Sequence, residues 1–136
     1  MTFEEMARLH WLGFAPLRPW SAAEIAEMLS NPFSFVLVES AGFLIGRVVA
    51  GEAEVLTIAV EPAARRQGVG AGLMAGFLAQ ARVRGAEVAF LEVAADNLAA
   101  RGLYAASGFV ESGRRRGYYH APGGSAVDAV IMSCRI

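Results

Sequence analysis

The segment from position 65 to 72 carries the residue types best suited to hold a phosphorylated ligand. It reads Arg65-Arg66-Gln67-Gly68-Val69-Gly70-Ala71-Gly72 and lies between an apolar strand-like run and an apolar helical pattern. Glycines allow the backbone to approach a ligand closely, and the free N–H groups at the start of a helix favour an anion such as pyrophosphate. The two arginines can add charge-assisted hydrogen bonds. The segment therefore predicts a phosphate-binding turn.

Three other interpretations of the segment 65–72 can be weighed against its sequence: a Walker phosphate loop, a Rossmann dinucleotide site and a purely structural role. A Walker phosphate loop is excluded, because no Gly-Lys-Ser/Thr follows the glycines. A Rossmann dinucleotide site fits the loose glycine pattern of Gly70 to Ala75, with Glu92 about 20 residues further on. Against it, an arginine-rich loop containing proline separates the strand from the glycines, and 136 residues leave little room for the usual twinned fold. The third interpretation is that the glycines serve packing and the arginines serve solubility.

Two side chains in the second half of the chain are suited to proton transfer. Glu92 follows the apolar run 88–91, so its carboxylate is expected to be partly desolvated and able to accept a proton. It could equally be a solvated glutamate at a strand end or the partner of an arginine. Tyr104 shares a helix face with Asn97 and Ala100, because the three stand at i, i+3 and i+7. Its phenol can donate a proton, or the ring can simply pack at the domain edge, and Asn97 most simply caps the helix.

The helices and strands that position these residues are predicted from the periodicity of apolar residues and from capping, glycine and proline residues at their ends. Ser21 and Glu24 form a capping-box pattern, with Trp20 and Ile25 placed for a hydrophobic staple. Helices are predicted over 2–10, 22–29 and 70–81 and from Asp96 or Asn97 to 107, and 11–20 is predicted as a loop. Strands are predicted over 34–39, 43–50, 54–60, 87–93, 109–115 and 127–134. This order predicts an α/β fold with a mixed sheet flanked by helices.

Composition narrows the class of protein. The 136 residues predict a single domain over 1–136, and 55% hydrophobic against 18% charged residues predicts a packed core. A net charge of −1 predicts no direct binding to nucleic acid. Cys134 is the lone cysteine and His10 and His120 are the two histidines, so neither a disulfide nor a metal site is expected. The N-terminus has no signal-peptide pattern and no stretch is long and apolar enough to span a membrane, which predicts a cytoplasmic protein.

In sequence the chain resembles the GNAT superfamily of acetyltransferases. Arg65-x-x-Gly68-x-Gly70 after the strand Leu56 to Val60 is similar to the coenzyme A pyrophosphate motif of that family. Phe90-Leu91-Glu92-Val93, Asp96-Asn97 and Leu103 to Phe109 follow in the family's order and spacing. Trp20-Ser21, Arg114-Arg115 with Tyr118-Tyr119, and Asp128 to Met132 extend the likeness to the RimI branch, whose members acetylate the N-terminal amine of a ribosomal protein.

The resemblance implies a GNAT fold, with a mostly antiparallel central sheet, and acetyl-CoA as co-substrate without a metal. It implies that Glu92 is the general base and Tyr104 the acid, although many GNAT enzymes place the base on the preceding strand, where Glu54 is the rival. The donor-binding residues that it implies are Ile58, Ala59, Val60, Arg65, Arg66, Gln67, Gly68, Val69, Gly70, Ala71 and Asn97.

The implied reaction is direct transfer in a ternary complex, because Cys134 lies outside every motif. The implied acceptor is the N-terminal α-amine of a ribosomal protein, and the aromatic segments 11–20 and 118–120 are candidates for a peptide groove. The chain departs from the RimI pattern at Arg116-Gly117, in the turn 120–124 and at Val127, where an acid is usual. Two alternatives stay open: an acetyltransferase for a small amine or a lysine side chain, and a coenzyme A-binding module without turnover.

Overall fold

The helices and strands occur in the predicted order along the chain. A computed structural model describes residues 1–14, 19–120 and 123–136. The helices are α1 (Phe3–Phe14), α2 (Ala22–Leu29), α3 (Val69–Val83) and α4 (Leu98–Ala106), with a short 3-10 helix at Pro62–Ala64. The strands are β1 (Ser34–Glu39), β2 (Gly42–Val49), β3 (Glu52–Val60), β4 (Val88–Ala94), β5 (Val110–His120) and β6 (Ala126–Arg135). The predicted mixed α/β architecture is confirmed.

The six strands form one sheet in the order β1-β2-β3-β4-β6-β5. Every neighbouring pair is antiparallel except β3 and β4, which are parallel and joined through α3. The parallel ladder is short, since it runs from Glu52 opposite Val88 only to Glu54 opposite Phe90. A β-bulge in β3 follows at once, because Gly46 pairs with Val55 and Ile45 with Thr57, which leaves Leu56 as an extra residue. The sheet therefore opens between its two central strands.

Each face of the sheet has its own hydrophobic core. On one face α3 packs its predicted apolar side, so that Leu73, Met74, Phe77 and Ala81 are buried. On the other face α1 and α2 cover β2 and β3 through a cluster of Met6, Leu9, Ile25, Phe43, Ile45 and Ala59. Among the described residues, no helix combines the length and apolar character that crossing a membrane requires.

Two predicted boundaries are wrong. Helix α1 continues to Phe14, so the predicted loop 11–20 is wrong for 11–14, while 15–18 lie outside the described residues. Gly13 suggested a break, but one glycine costs a helix only about 1 kcal/mol. Strand β5 continues past Arg115 to His120, because an edge strand keeps charged side chains in solvent on its open face. Of the predicted turn 120–124, His120 lies in β5, and 121–122 lie outside the described residues.

The start of α2 is fixed to α1 by polar contacts. Ser21 Oγ accepts the Glu24 N–H at 3.1 Å and Glu24 Oε1 accepts the Ser21 N–H at 3.2 Å, which confirms the capping box. His10 is 1% exposed, and its Nδ1 accepts the Trp20 N–H at 2.8 Å. The two rings stack with centroids 4.8 Å apart. The neutral imidazole thus joins the end of α1 to the residue that precedes α2.

We expect His10 to make the protein sensitive to mild acid. Burial lowers the pKa of His10 from 6.5 to about 4, against the opposing effect of Glu24. Between pH 6.5 and pH 4, His10 is protonated in the unfolded chain but stays neutral in the folded protein. The free energy of unfolding therefore falls as the pH drops through this range. From pH 7 to pH 5 this one group removes about 2 kcal/mol of unfolding free energy. Urea unfolding at both pH values should show that loss in the wild type.

The matched variant is His10→Asn, whose amide oxygen can still accept the Trp20 N–H but does not titrate. Its unfolding free energy should change between pH 7 and pH 5 by about 2 kcal/mol less than that of the wild type. An equal pH dependence in the two proteins would show that His10 is not the acid-sensitive group.

Candidate active site

A cavity of about 880 Å³ lies where β3 and β4 part. Five parts of the chain form its walls: the end of β3, the turn leading into α3, the end of β4, helix α4, and the β5–β6 hairpin. The lining residues are Ile58, Ala59, Val60, Ala64, Arg65, Arg66, Gly68, Val69, Gly70, Ala71, Glu92, Val93, Ala94, Asp96, Asn97, Ala99, Ala100, Leu103, Tyr104, Tyr119 and Val127. Of the predicted site residues, only Gln67 does not line it.

The end of β3 presents backbone to this cavity. On its outer side β3 stays paired with β2 as far as Val60 opposite Gly42. On its inner side, in the described part of the chain, no strand pairs with β3 beyond Glu54. Backbone polar groups that leave a ladder need other partners. The gap at Ile58, Ala59 and Val60 is therefore suited to hydrogen-bond an extended, amide-containing ligand.

The turn before α3 has the backbone of an anion site. Arg66 and Gly68 both adopt left-handed conformations, with φ of 66° and 83°. Gly68 is the N-cap of α3 and offers no side-chain cap, so the first N–H groups of the helix remain available to a ligand. Arg65 and Arg66 line the same end of the cavity. Gly70 has a packing role as well, because a Cβ there would lie 3.0 Å from Leu103 Cδ2 of α4.

We expect Gly68→Val to weaken acetyl-CoA binding by at least about tenfold, because the new side chain blocks the close approach of a pyrophosphate to the helix start. The left-handed backbone adds strain of about 1–2 kcal/mol for any residue with a Cβ. Isothermal titration calorimetry with acetyl-CoA measures the affinity. Gly72→Ala is the control, since Gly72 does not line the cavity and its nearest neighbour would be Glu39 Oε1 at 3.9 Å. Equal affinity in both variants would contradict a phosphate cradle at Gly68.

The two candidate bases differ in position. Glu92 lies near the end of β4 and lines the cavity, and its carboxylate is 3.1 Å from the Arg115 guanidinium. Arg115 also lies over the Tyr118 ring, 5.1 Å from its centroid. Glu54 instead pairs with Arg47 of β2 at 2.7 Å and does not line the cavity. The arginine partner considered for Glu92 is thus found, Glu54 is paired with an arginine as well, and the geometry favours Glu92 as the residue that meets a ligand.

Tyr104 lines the same cavity from α4. It is 7% exposed, and burial, followed by the proximity of Tyr119, raises its pKa to about 12. The phenol therefore stays protonated at neutral pH and can act only as a hydrogen-bond or proton donor to an anion. The pKa of Tyr119 is also raised, by burial and then by the negative charge of Glu92. Glu92, Tyr104 and Tyr119 thus form one polar cluster in the cavity, apart from the arginines of the turn before α3.

Asn97 has the predicted capping role. Its Oδ1 accepts the Ala100 N–H at 3.2 Å, so Asn97 and not Asp96 caps α4. Asn97, Ala100 and Tyr104 all line the cavity, which confirms that they share one helix face. Asp96 and Val127 line it too and were not predicted as site residues. Tyr119 was predicted only as a possible groove residue, because its inward position depends on the strand register of β5.

The arrangement separates two kinds of chemistry along one cavity. Arginines and the helix start at one end suit phosphates, and a carboxylate with two phenols at the other end suits proton transfer. Within the described ranges, no three of His, Cys, Asp and Glu converge as a metal site would require.

The comparisons with known proteins agree with this geometry. Residues 3–109 match the acetyltransferase (GNAT) family. The chain is 38% identical over 122 residues to the [ribosomal protein bS18]-alanine N-acetyltransferase of Escherichia coli K12, covering 87% of this chain and 82% of that one. It is 38% identical over 117 residues to the N-alpha-acetyltransferase RimI of Mycobacterium tuberculosis, covering 79% and 72% of the two chains.

The fold is similar as well. The crystal structure of the ribosomal-protein-S18-alanine N-acetyltransferase from Escherichia coli superimposes with a TM-score of 0.81 at 36% identity, over 96% of this chain and 86% of that one. With a family match over most of its length and a relative 38% identical over 87% of this chain, the chain belongs to the GNAT family of acetyltransferases.

Proposed function

We propose that this protein transfers the acetyl group of acetyl-CoA to the N-terminal α-amine of a ribosomal protein. The observation that carries the proposal is the single cavity that joins the phosphate-binding turn of α3 to Glu92 and Tyr104. Binding of the donor and proton transfer are then possible in one continuous space. We propose the cytoplasm as the place of action, because newly made ribosomal proteins are found there.

Donor binding is assigned to one wall of the cavity. Arg65, Arg66, Gly68, Val69, Gly70 and Ala71 are proposed to hold the pyrophosphate through backbone N–H groups and guanidinium groups. Gln67 is left out of the contact set, because it does not line the cavity. The free backbone of Ile58, Ala59 and Val60 is proposed to bind the pantetheine amides and the acetyl carbonyl, and Asn97 to contact the donor from α4.

The chemistry is proposed to be a direct displacement. The acceptor nitrogen attacks the thioester carbonyl carbon while Glu92, directly or through water, takes the proton that the amine loses. Backbone donors of β3 stabilise the negative charge that develops on the carbonyl oxygen. When the C–S bond breaks, Tyr104 donates its proton to the thiolate and regains one from solvent. No covalent enzyme intermediate is required, and Cys134 does not line the cavity.

The acceptor assignment rests on the relatives named above. An α-amine has an ordinary pKa of about 8, against about 10.4 for lysine, so it needs less help to become a neutral nucleophile. The alternatives are a small amine or a lysine side chain, which the donor site does not distinguish, and binding without turnover. The presence of both a carboxylate and a buried phenol in the cavity favours an enzyme over a binding module.

Mass spectrometry on three matched acceptors tests the proposal. The acceptors are a peptide copying the N-terminus of the bS18 protein, the same peptide with its α-amine blocked and one lysine added, and a mixture of small polyamines. We expect one acetyl group on the first peptide and none on the others. The chain contains no lysine, so a modified lysine can come only from an acceptor.

Each other result has a definite meaning. Acetylation confined to lysine or to polyamines would overturn the α-amine assignment and keep the enzyme class. No acetylation of any acceptor, with acetyl-CoA still bound in calorimetry, would overturn the enzymatic proposal in favour of a binding module.

A further inference from the structure

Strand β5 contains an irregularity directly beside the cavity. Arg115 pairs with Ala129 and Tyr119 pairs with Val127, so the three residues 116–118 of β5 stand opposite the single residue Asp128 of β6. Residues inserted into one strand bend it and re-aim its side chains. Here Tyr119 lines the cavity, whereas Tyr118 beside it is 51% exposed. The bulge therefore decides which tyrosine faces the site.

Asp128 holds this bulge together. Its Oδ1 accepts the Gly117 N–H at 2.9 Å in a part-buried hydrogen bond, and Gly117 has a left-handed φ of 60°. Its backbone oxygen accepts the Ala95 N–H at 2.9 Å, at the point where β4 leads into α4. Its other carboxylate oxygen is 3.5 Å from the Arg114 guanidinium. This ion pair is exposed and therefore contributes little to stability. One residue thus joins the wall that carries Tyr119 to the wall that carries Glu92 and Asn97.

We propose that Asp128 is a positioning residue for acetyl transfer, which acts by holding Gly117 and thereby keeping the Tyr119 hydroxyl inside the cavity beside Glu92 and Tyr104. This inference rests on the proposed function, since it places Tyr119 against the acceptor amine. Because the ladder gives the extra residues of a bulge no partner, the Asp128 carboxylate supplies the acceptor for the Gly117 N–H. Without the carboxylate, the Gly117 N–H loses its partner and the β5 segment can return toward regular pairing.

Three variants separate the possible ways in which Asp128 could act. Asp128→Ala removes the acceptor for Gly117 and should lower kcat/KM for the acceptor peptide by about 10- to 100-fold, as expected for a misplaced site group. Asp128→Asn keeps an oxygen in the same place and should restore most of that loss. Arg114→Gln removes the ion pairs of Arg114 with Asp128 and with Glu111 but keeps the contact between Asp128 and Gly117, and it should leave kcat/KM unchanged. Affinity for acetyl-CoA should be unchanged in all three, because residues 114, 117 and 128 do not line the donor end.

A double-mutant cycle with Tyr119→Phe tests the route of the effect. If Asp128 acts through Tyr119, the phenylalanine change should lower kcat/KM in the wild type and have little further effect in Asp128→Ala. Multiplicative losses would overturn the proposal, as would an inactive Asp128→Asn or an Arg114→Gln as weak as Asp128→Ala.

Hydrogen exchange keeps this test independent of the proposed function. The amides of residues 117 to 119 should exchange faster in Asp128→Ala than in the wild type, whether or not any peptide is acetylated. Unchanged exchange at these amides would overturn the positioning role even in an active enzyme. A third result is that the wild type acetylates no acceptor while exchange is still faster in Asp128→Ala. This result would overturn the proposed function and the catalytic part of the inference. The hydrogen bond between Gly117 and Asp128 would still be shown to hold the β5 segment.

Discussion

Tyr104→Phe should lower kcat for acetyl transfer by about 10- to 10⁴-fold, the range for loss of acid–base assistance, which corresponds to about 1.4–5.4 kcal/mol of activation free energy. The affinity for acetyl-CoA should not change, because only a hydroxyl is lost and the ring stays in the core that it shares with Phe109 and Val93. Steady-state kinetics together with calorimetry separates the two effects. An unchanged kcat would remove Tyr104 from the mechanism.

The pH profile gives a second test of the same residue. Tyr104 donates only in its protonated form, and with its pKa raised to about 12 that form persists through the neutral and mildly alkaline range. The rate should therefore rise with pH through the α-amine pKa, about 8, and show no decline due to Tyr104 below about pH 10. A phenol with an ordinary pKa near 10 would instead begin to cause a decline within that range.

The outline of this fold follows from local signals. The existence of strands β3 and β4, the apolar side of α3 and the Ser21–Glu24 capping box each depend on neighbours within a few positions, and each is confirmed. The predicted ends of α1 and β5 were wrong for different reasons. One glycine is a small cost in a helix, and β5 is an edge strand that pairs with β6 while its charged side chains stay exposed. Local propensity does not reveal such pairing with another strand.

The site was only partly predictable for a similar reason. A motif of glycines and arginines specifies a helix start, and the structure places that start at the cavity. Tyr119 reaches the same cavity because 116–118 bulge opposite Asp128, and Glu54 is directed to Arg47 across a hairpin whose register shifts at Gly46. Such shifts of register depend on contacts between strands, which spacing along one strand does not reveal.

Glu92→Gln should lower kcat/KM for a peptide α-amine by about 10²- to 10⁴-fold near pH 7, because the amide cannot take the proton of the attacking amine. The shape of the side chain and its ability to accept a hydrogen bond from Arg115 are kept. The defect should shrink as pH rises past the α-amine pKa, about 8, since a growing fraction of the acceptor is then neutral without help. Rates measured from pH 6.5 to 9.5 test both statements.

Glu54→Gln is the matched control for this experiment. Glu54 and Glu92 are both half-buried strand glutamates paired with an arginine, with side chains 25% and 24% exposed, and they differ in that only Glu92 lines the cavity. If loss of an ion pair were the cause, the two variants would lose activity alike. A severe loss in Glu54→Gln with a normal Glu92→Gln would move the base to β3. A pH-independent defect in Glu92→Gln would mean that the carboxylate orients the acceptor and does not take its proton, because only proton acceptance becomes unnecessary once the amine is neutral.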